Sequence, residues 1–119
     1  MILKKIALIG LLLCSGLGLM AQETSKKFKV YGNCGMCESR IEKAALSVEG
    51  VSIADWDKTT KMINVKFDKS KTDVHKIHMA IANSGHDTEM HKAKDEVYNK
   101  LHGCCQYIRS NKDQMDHKH

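Results

Sequence analysis

The chain has 119 residues, 42% hydrophobic, 28% charged and 5% aromatic, with five cysteines, seven methionines, seven histidines and no proline. That length allows one small domain and excludes two large cores, a barrel enzyme or a multi-span membrane protein. The formal net charge of +5 comes without an Arg-rich or aromatic-and-basic stretch, so nucleic acid is not an expected partner.

Residues 1–21 read as a secretory signal peptide. Lys4 and Lys5 form a basic leader, residues 6–19 are apolar apart from Cys14, Ser15 and glycines, and Ala21 offers a small residue for cleavage. The apolar run falls short of the roughly 18 residues of a membrane span. A lipid anchor on Cys14 is disfavoured by bulky Leu13 before it. The expected product is periplasmic or secreted, with no stable membrane insertion after cleavage. Its four cysteines are Cys34, Cys37, Cys104 and Cys105. In an exported protein an even count usually means disulfides, but two tight pairs staple very little chain.

Residues 27–31 alternate and predict a strand. A glycine-rich loop follows, then a helix from Cys37 to about Val48 with Ile41, Ala44, Ala45 and Val48 on one face. Residues 51–57 predict a second strand and residues 62–67 a third, with Ile63, Val65 and Phe67 turned inward. Thr72 or Asp73 caps a second helix whose inner residues are Val74, Ile77 and Ile81, which leaves His75, His78 and Met79 at the surface. Residues 88–93 predict a polar fourth strand at a sheet edge. A short third helix is expected over residues 95–102, ended by Gly103. The order is that of an α+β, ferredoxin-like βαββαβ sandwich with two helices on one face of a four-stranded antiparallel sheet. Residues 26–94 form the domain, residues 95–109 a C-terminal helix and Cys-Cys extension, and residues 110–119 a polar tail expected to be disordered. That tail carries Met115, His117 and His119, which either bind Cu or Zn weakly or are solvated.

Cys34-Gly35-Met36-Cys37 lies where a strand hands over to a helix. The partial positive charge and free N–H groups of a helix N-terminus stabilise thiolate. Two thiolates at this spacing hold one soft ion or form one disulfide, and soft ligands favour Cu(I) or Zn(II) over hard cations. Cys104 and Cys105 are adjacent, so a disulfide between them is strained. They read as a second thiolate pair, as cross-linking partners of Cys34 or Cys37, or as spare thiols. The third helix either turns back and brings them to the Cys34–Cys37 end or points them away.

The motif Gly32-Asn33-Cys34-Gly35-Met36-Cys37, the helix that follows it, Gly50-Val51 and Gly85 together resemble the heavy-metal-associated domain family over residues 26–94. The resemblance implies metal binding by Cys34 and Cys37. It implies Cu(I) as cargo, with Zn(II) or Hg(II) as alternatives, passed by thiolate exchange to a metal-transporting ATPase, an efflux system or another metal-binding domain. No catalysis is implied. Two positions depart from the family pattern. Gly32 stands where the family usually has a methionine that packs under the loop, so a looser loop is expected. His86 stands where Tyr or Lys is frequent, so an imidazole is expected beside the site, as a ligand or a hydrogen-bond partner of a thiolate. The competing reading is a thiol-disulfide oxidoreductase using the same C-x-x-C motif. Thioredoxin-like redox sites place a cis-proline beside that motif, and this chain has no proline.

Overall fold

The computed structural model describes residues 22–109. The leader at residues 1–21 and the Met/His tail at residues 110–119 lie outside them. Among the described residues no helix is long and apolar enough to cross a membrane. Three strands, β1 (Glu23–Lys29), β2 (Val51–Trp56) and β3 (Met62–Asp68), form one antiparallel sheet in the order β1-β3-β2. Strand β3 is central because it is the most strictly alternating. Ile63, Val65 and Phe67 are buried on one face, and on β3 Ile63 pairs with Phe28 and with Trp56, while Val65 pairs with Lys26 and Ala54.

Helix α1 (Gly35–Leu46) connects β1 to β2, and helix α2 (Val74–Asn83) follows β3. Helix α1 starts two residues before the predicted position, so Cys34 is its N-cap and Cys37 lies in its first turn. Cys37, Ile41 and Ala45 are buried at a spacing of four, the helical stripe facing the core. Asp73 caps α2, its carboxylate accepting from the Lys76 N–H at 2.9 Å. Gly85 ends that helix at φ +111°, and a Cβ there would meet Leu101 Cδ2 at 3.0 Å.

Two predicted elements are corrected. Residues 88–93 do not form a fourth strand, and a single bridge, Val30 to Thr88, stands in its place. The Thr88 hydroxyl accepts from the Met90 and His91 N–H groups at 3.2 and 3.0 Å, and Thr88 N–H donates to the His91 carbonyl at 2.7 Å. These local bonds turn the chain where ladder bonds would have kept it extended. The third helix is also shorter than expected. Helix α3 is one turn, Asp95–Tyr98, followed by a 3₁₀ turn at Gly103–Cys105. Tightened bonds from Lys100 N–H to Val97 and from Leu101 N–H to Tyr98 end it. The Gln106 amide then donates to the Asn99 and Leu101 carbonyls at 3.2 Å each.

His78 is a further correction. It is buried, stacked on Phe28 with ring centroids 3.7 Å apart, and its Nδ1 lies 2.7 Å from the Thr88 hydroxyl. The inner face of α2 takes in His78 beside Ile77, Ile81 and Ala82.

Candidate metal centre

The loop between β1 and α1 is fixed peptide by peptide. The Trp56 indole N–H donates to the Val30 carbonyl at 3.0 Å, His86 Nδ1 to the Tyr31 carbonyl at 2.8 Å and Lys61 Nζ to the Gly32 carbonyl at 2.6 Å. Tyr31 N–H donates to Asp87 at 2.9 Å. Gly32 does not loosen this loop, contrary to the expectation from its missing side chain. It is buried, and a Cβ there would lie 3.1 Å from the Trp56 ring and from Cys37 Cβ, and 3.2 Å from Ile41 Cδ1. Trp56 and Ile41 fill the space under the loop, which requires a glycine for close approach.

The loop presents two thiols. Cys34 Sγ and Cys37 Sγ are 3.6 Å apart. Cys34 is half-buried and Cys37 fully buried. The backbone N–H of Cys37 aimed at the Cys34 sulfur lowers that thiol to about 7, with further help from the Cys37 thiol and the Met36 N–H against the cost of burial.

The C-terminal segment meets the same loop. Cys105 Sγ lies 4.0 Å from Cys34 Sγ and 3.9 Å from Cys104 Sγ. The Cys34 thiol points at the Cys104 carbonyl at 3.5 Å and the Cys37 thiol at the Cys105 carbonyl at 4.0 Å. Cys34, Cys104 and Cys105 keep all three sulfurs within 4.8 Å of one another. Among the described residues all four cysteines are free thiols. Cys104 is exposed and touches Met36 Sδ at 3.5 Å, whereas Cys105 is buried. Burial pushes the Cys105 thiol well above its ordinary range, and hydrogen bonds to the neighbouring thiols add to this. Of the two directions open to the third helix, the structure takes the one that returns both cysteines to the loop.

His86 is fully buried. A carbonyl only accepts, so Nδ1 carries the proton that goes to Tyr31, and Nε2 is buried with no hydrogen-bond partner. The ring stacks on Tyr107 at 5.3 Å. Burial lowers its pKa below the usual imidazole value. His86 thus reaches the motif loop through the backbone of Tyr31.

The residues that hold Cys104 and Cys105 in place carry no local pattern in the sequence. The Tyr107 hydroxyl donates to the Gly85 carbonyl at 2.9 Å and accepts from Asp87 N–H at 2.7 Å. Arg109 grips both carboxylate oxygens of buried Asp87, at 2.7 and 2.9 Å, and reaches Asp95 at 2.6 Å. It also lies over the Tyr98 ring, and the Tyr98 hydroxyl donates to the Tyr107 carbonyl. The only cue was opposite charge 22 positions apart, too far for any periodicity to register.

Known proteins share the loop-bearing part of this architecture. The heavy-metal-associated domain family matches residues 30–87, a span that ends before Cys104. The copper chaperone CopZ of Staphylococcus aureus (strain JH9) is 34% identical over 55 residues, 46% of this chain and 81% of that protein. Oxidized MerP from Ralstonia metallidurans CH34 superposes with a TM-score of 0.55 at 33% identity, over 57% of this chain and 96% of that one. The water-soluble region of the P-type ATPase CopA from Bacillus subtilis superposes with a TM-score of 0.54 at 27% identity, over 59% of this chain and 47% of that one.

Proposed function

The chain belongs to the heavy-metal-associated domain family, and from that premise we propose that it is an exported carrier of a soft metal ion, Cu(I) foremost. The observation that carries this reading is the pair of thiols, Cys34 and Cys37, 3.6 Å apart at the N-terminus of α1. A half-exposed, readily ionised Cys34 takes the ion first, and Cys37 follows from the first helical turn. Soft thiolate donors select Cu(I) over hard cations. Similarity to a copper chaperone, to MerP and to an ATPase soluble region supports a donor or acceptor of the same kind as partner: a metal-transporting ATPase, an efflux system or another metal-binding domain. Transfer is ligand exchange, in which an incoming thiolate joins the ion before an old one leaves. It needs no catalytic group, and none is assigned.

Competition against a Cu(I) chelator, with elemental analysis of anaerobically purified protein, tests the reading. Wild type is expected to hold copper, and Cys34→Ser/Cys37→Ser to lose it. Equal copper affinity in the two would move the site elsewhere. Export is tested on the same preparation. Protein recovered from the cell envelope or medium is expected to begin near Gln22 by mass spectrometry, and an intact Met1 on all of it would defeat the leader assignment.

A further inference from the structure

Three sulfurs, those of Cys34, Cys104 and Cys105, lie within 4.8 Å of one another, and the Cys37 sulfur adjoins them through Cys34. Thiolates about 2.3 Å from a metal ion stand about 3.8 Å apart in a tetrahedron, about 4.0 Å in a triangle and about 4.6 Å across a linear pair. The observed separations are 3.6 Å for Cys34–Cys37, 4.0 Å for Cys34–Cys105 and 3.9 Å for Cys104–Cys105. None of these three pairs has the linear span. Cys34 is common to both halves of the cluster, which makes it the bridging corner.

We propose that Cys104 and Cys105 close the Cys34–Cys37 loop into one intramolecular site that holds a single soft ion by three or four thiolates. This deepens the carrier reading and rests on it. The 3₁₀ turn Gly103–Cys105 places two successive sulfurs over the loop, one buried and one exposed. Adjacent cysteines resist a mutual disulfide because the small ring strains its geometry, so the pair stays available as ligands. The turn is anchored on the far side by Tyr107 and by the Arg109–Asp87 pair. That anchoring leaves little ordering entropy to be lost when an ion binds. Each thiol that ligates gives its proton to solvent, so binding releases protons and involves no change of oxidation state. An ion held this way meets an acceptor first at the exposed Cys104.

The test uses the reduced chain loaded anaerobically with one equivalent of Cu(I). X-ray absorption counts the sulfurs around copper, and sedimentation reports the mass of the loaded species. Wild type is expected to show three or more sulfurs in a monomer. Two sulfurs in wild type, or copper shared between two chains, would overturn the proposal without needing any variant. Cys104→Ser/Cys105→Ser is expected to fall to two sulfurs and to bind Cu(I) about tenfold or more weaker in chelator competition. The single Cys104→Ser, at an exposed position, guards against loss of the fold and is expected to lie between the two. Wild-type affinity and sulfur number in both variants would sink the four-cysteine site and leave the carrier reading standing. Wild-type copper affinity in Cys34→Ser/Cys37→Ser would move the primary site off the loop and remove the reading on which this proposal rests.

Discussion

The four cysteines share one end of the molecule but not one chemistry. Cys34 is the N-cap of α1 and receives the Cys37 backbone N–H, which lowers its thiol to about 7. Cys105 is buried among the other thiols, and burial first and its hydrogen bonds to them second raise its thiol. The thiolate is the reactive form. Metal-free protein is therefore expected to alkylate first at Cys34, with a rate that climbs through a midpoint near 7. Cys105 is expected to stay unreactive across that range. Iodoacetamide labelling read by peptide mass spectrometry from pH 6 to 8 makes the measurement (about one unit each side of that midpoint). A Cys105 adduct ahead of Cys34 would contradict this ordering. Both motif cysteines and their place at a strand-to-helix junction were legible in the sequence, because C-x-x-C is a local spacing. The support beneath them was not. Gly32 promised a loose loop, yet Trp56 from β2 fills the space where a side chain would sit. No local pattern places residue 56 under residue 32.

At the level of elements, the strands and helices with strong periodicity were readable to within a few residues, and those without it were not. Strand β3 and helix α2 carry clean apolar alternation and a clean apolar stripe. The polar segment after Gly85 carries neither. Its chain path is set by side chains that bond to backbone, Thr88 and Asp87 above all. Asp87 accepts from Ala93 N–H at 2.7 Å and from Arg109. Such bonds compete with a ladder but leave no period behind. The same carboxylate is the anchor of the C-terminal segment. In Arg109→Ala a buried carboxylate loses its paired cation, which costs about 3 kcal/mol in typical buried pairs. The loss is expected to be local. The Cys105 and Tyr107 amides, bonded to the His102 and Cys105 carbonyls at 2.8 and 2.9 Å, should exchange with deuterium faster. Amides of β3 should be unchanged. Uniform acceleration across the sheet would mean that Arg109 holds the whole fold and not the turn.

At the scale of the whole molecule, the Phe28 side of the sheet is covered by α2 through a histidine. His78 lies against Phe28, with Thr88 on its Nδ1 and with His75, His91 and Glu89 as the charged or titratable groups around it. Burial lowers its pKa to about 4, and the neighbouring imidazoles add slightly while Glu89 opposes. His86, two residues before Thr88, is also lowered by burial. Both rings are neutral in the folded state near pH 7. In the unfolded chain each imidazole takes up a proton near 6.5, so below that value the unfolded state binds more protons than the folded one. Stability is then complete above about 6.5 and falls as the pH drops towards 4, where His78 protonates in the fold as well. Between pH 7 and 5 the loss expected from His78 alone is about 2 kcal/mol, and His86 adds in the same direction. Asp68, whose carboxyl is lowered chiefly by the Ser70 hydroxyl and N–H, acts in the same direction but below 3.8, outside that interval. Urea denaturation of the reduced, metal-free protein at the two pH values gives the difference directly. His78→Gln is expected to lower stability at pH 7, because it loses the stack on Phe28, and to flatten the fall towards pH 5. The residual slope belongs to His86 and Cys34, both lowered, with the raised carboxyl of Glu42 opposing them. Wild-type stability that stays level from pH 7 to 5 would show that these rings carry their protons in the fold, and the neutral, buried packing of α2 on β1 would have to be given up.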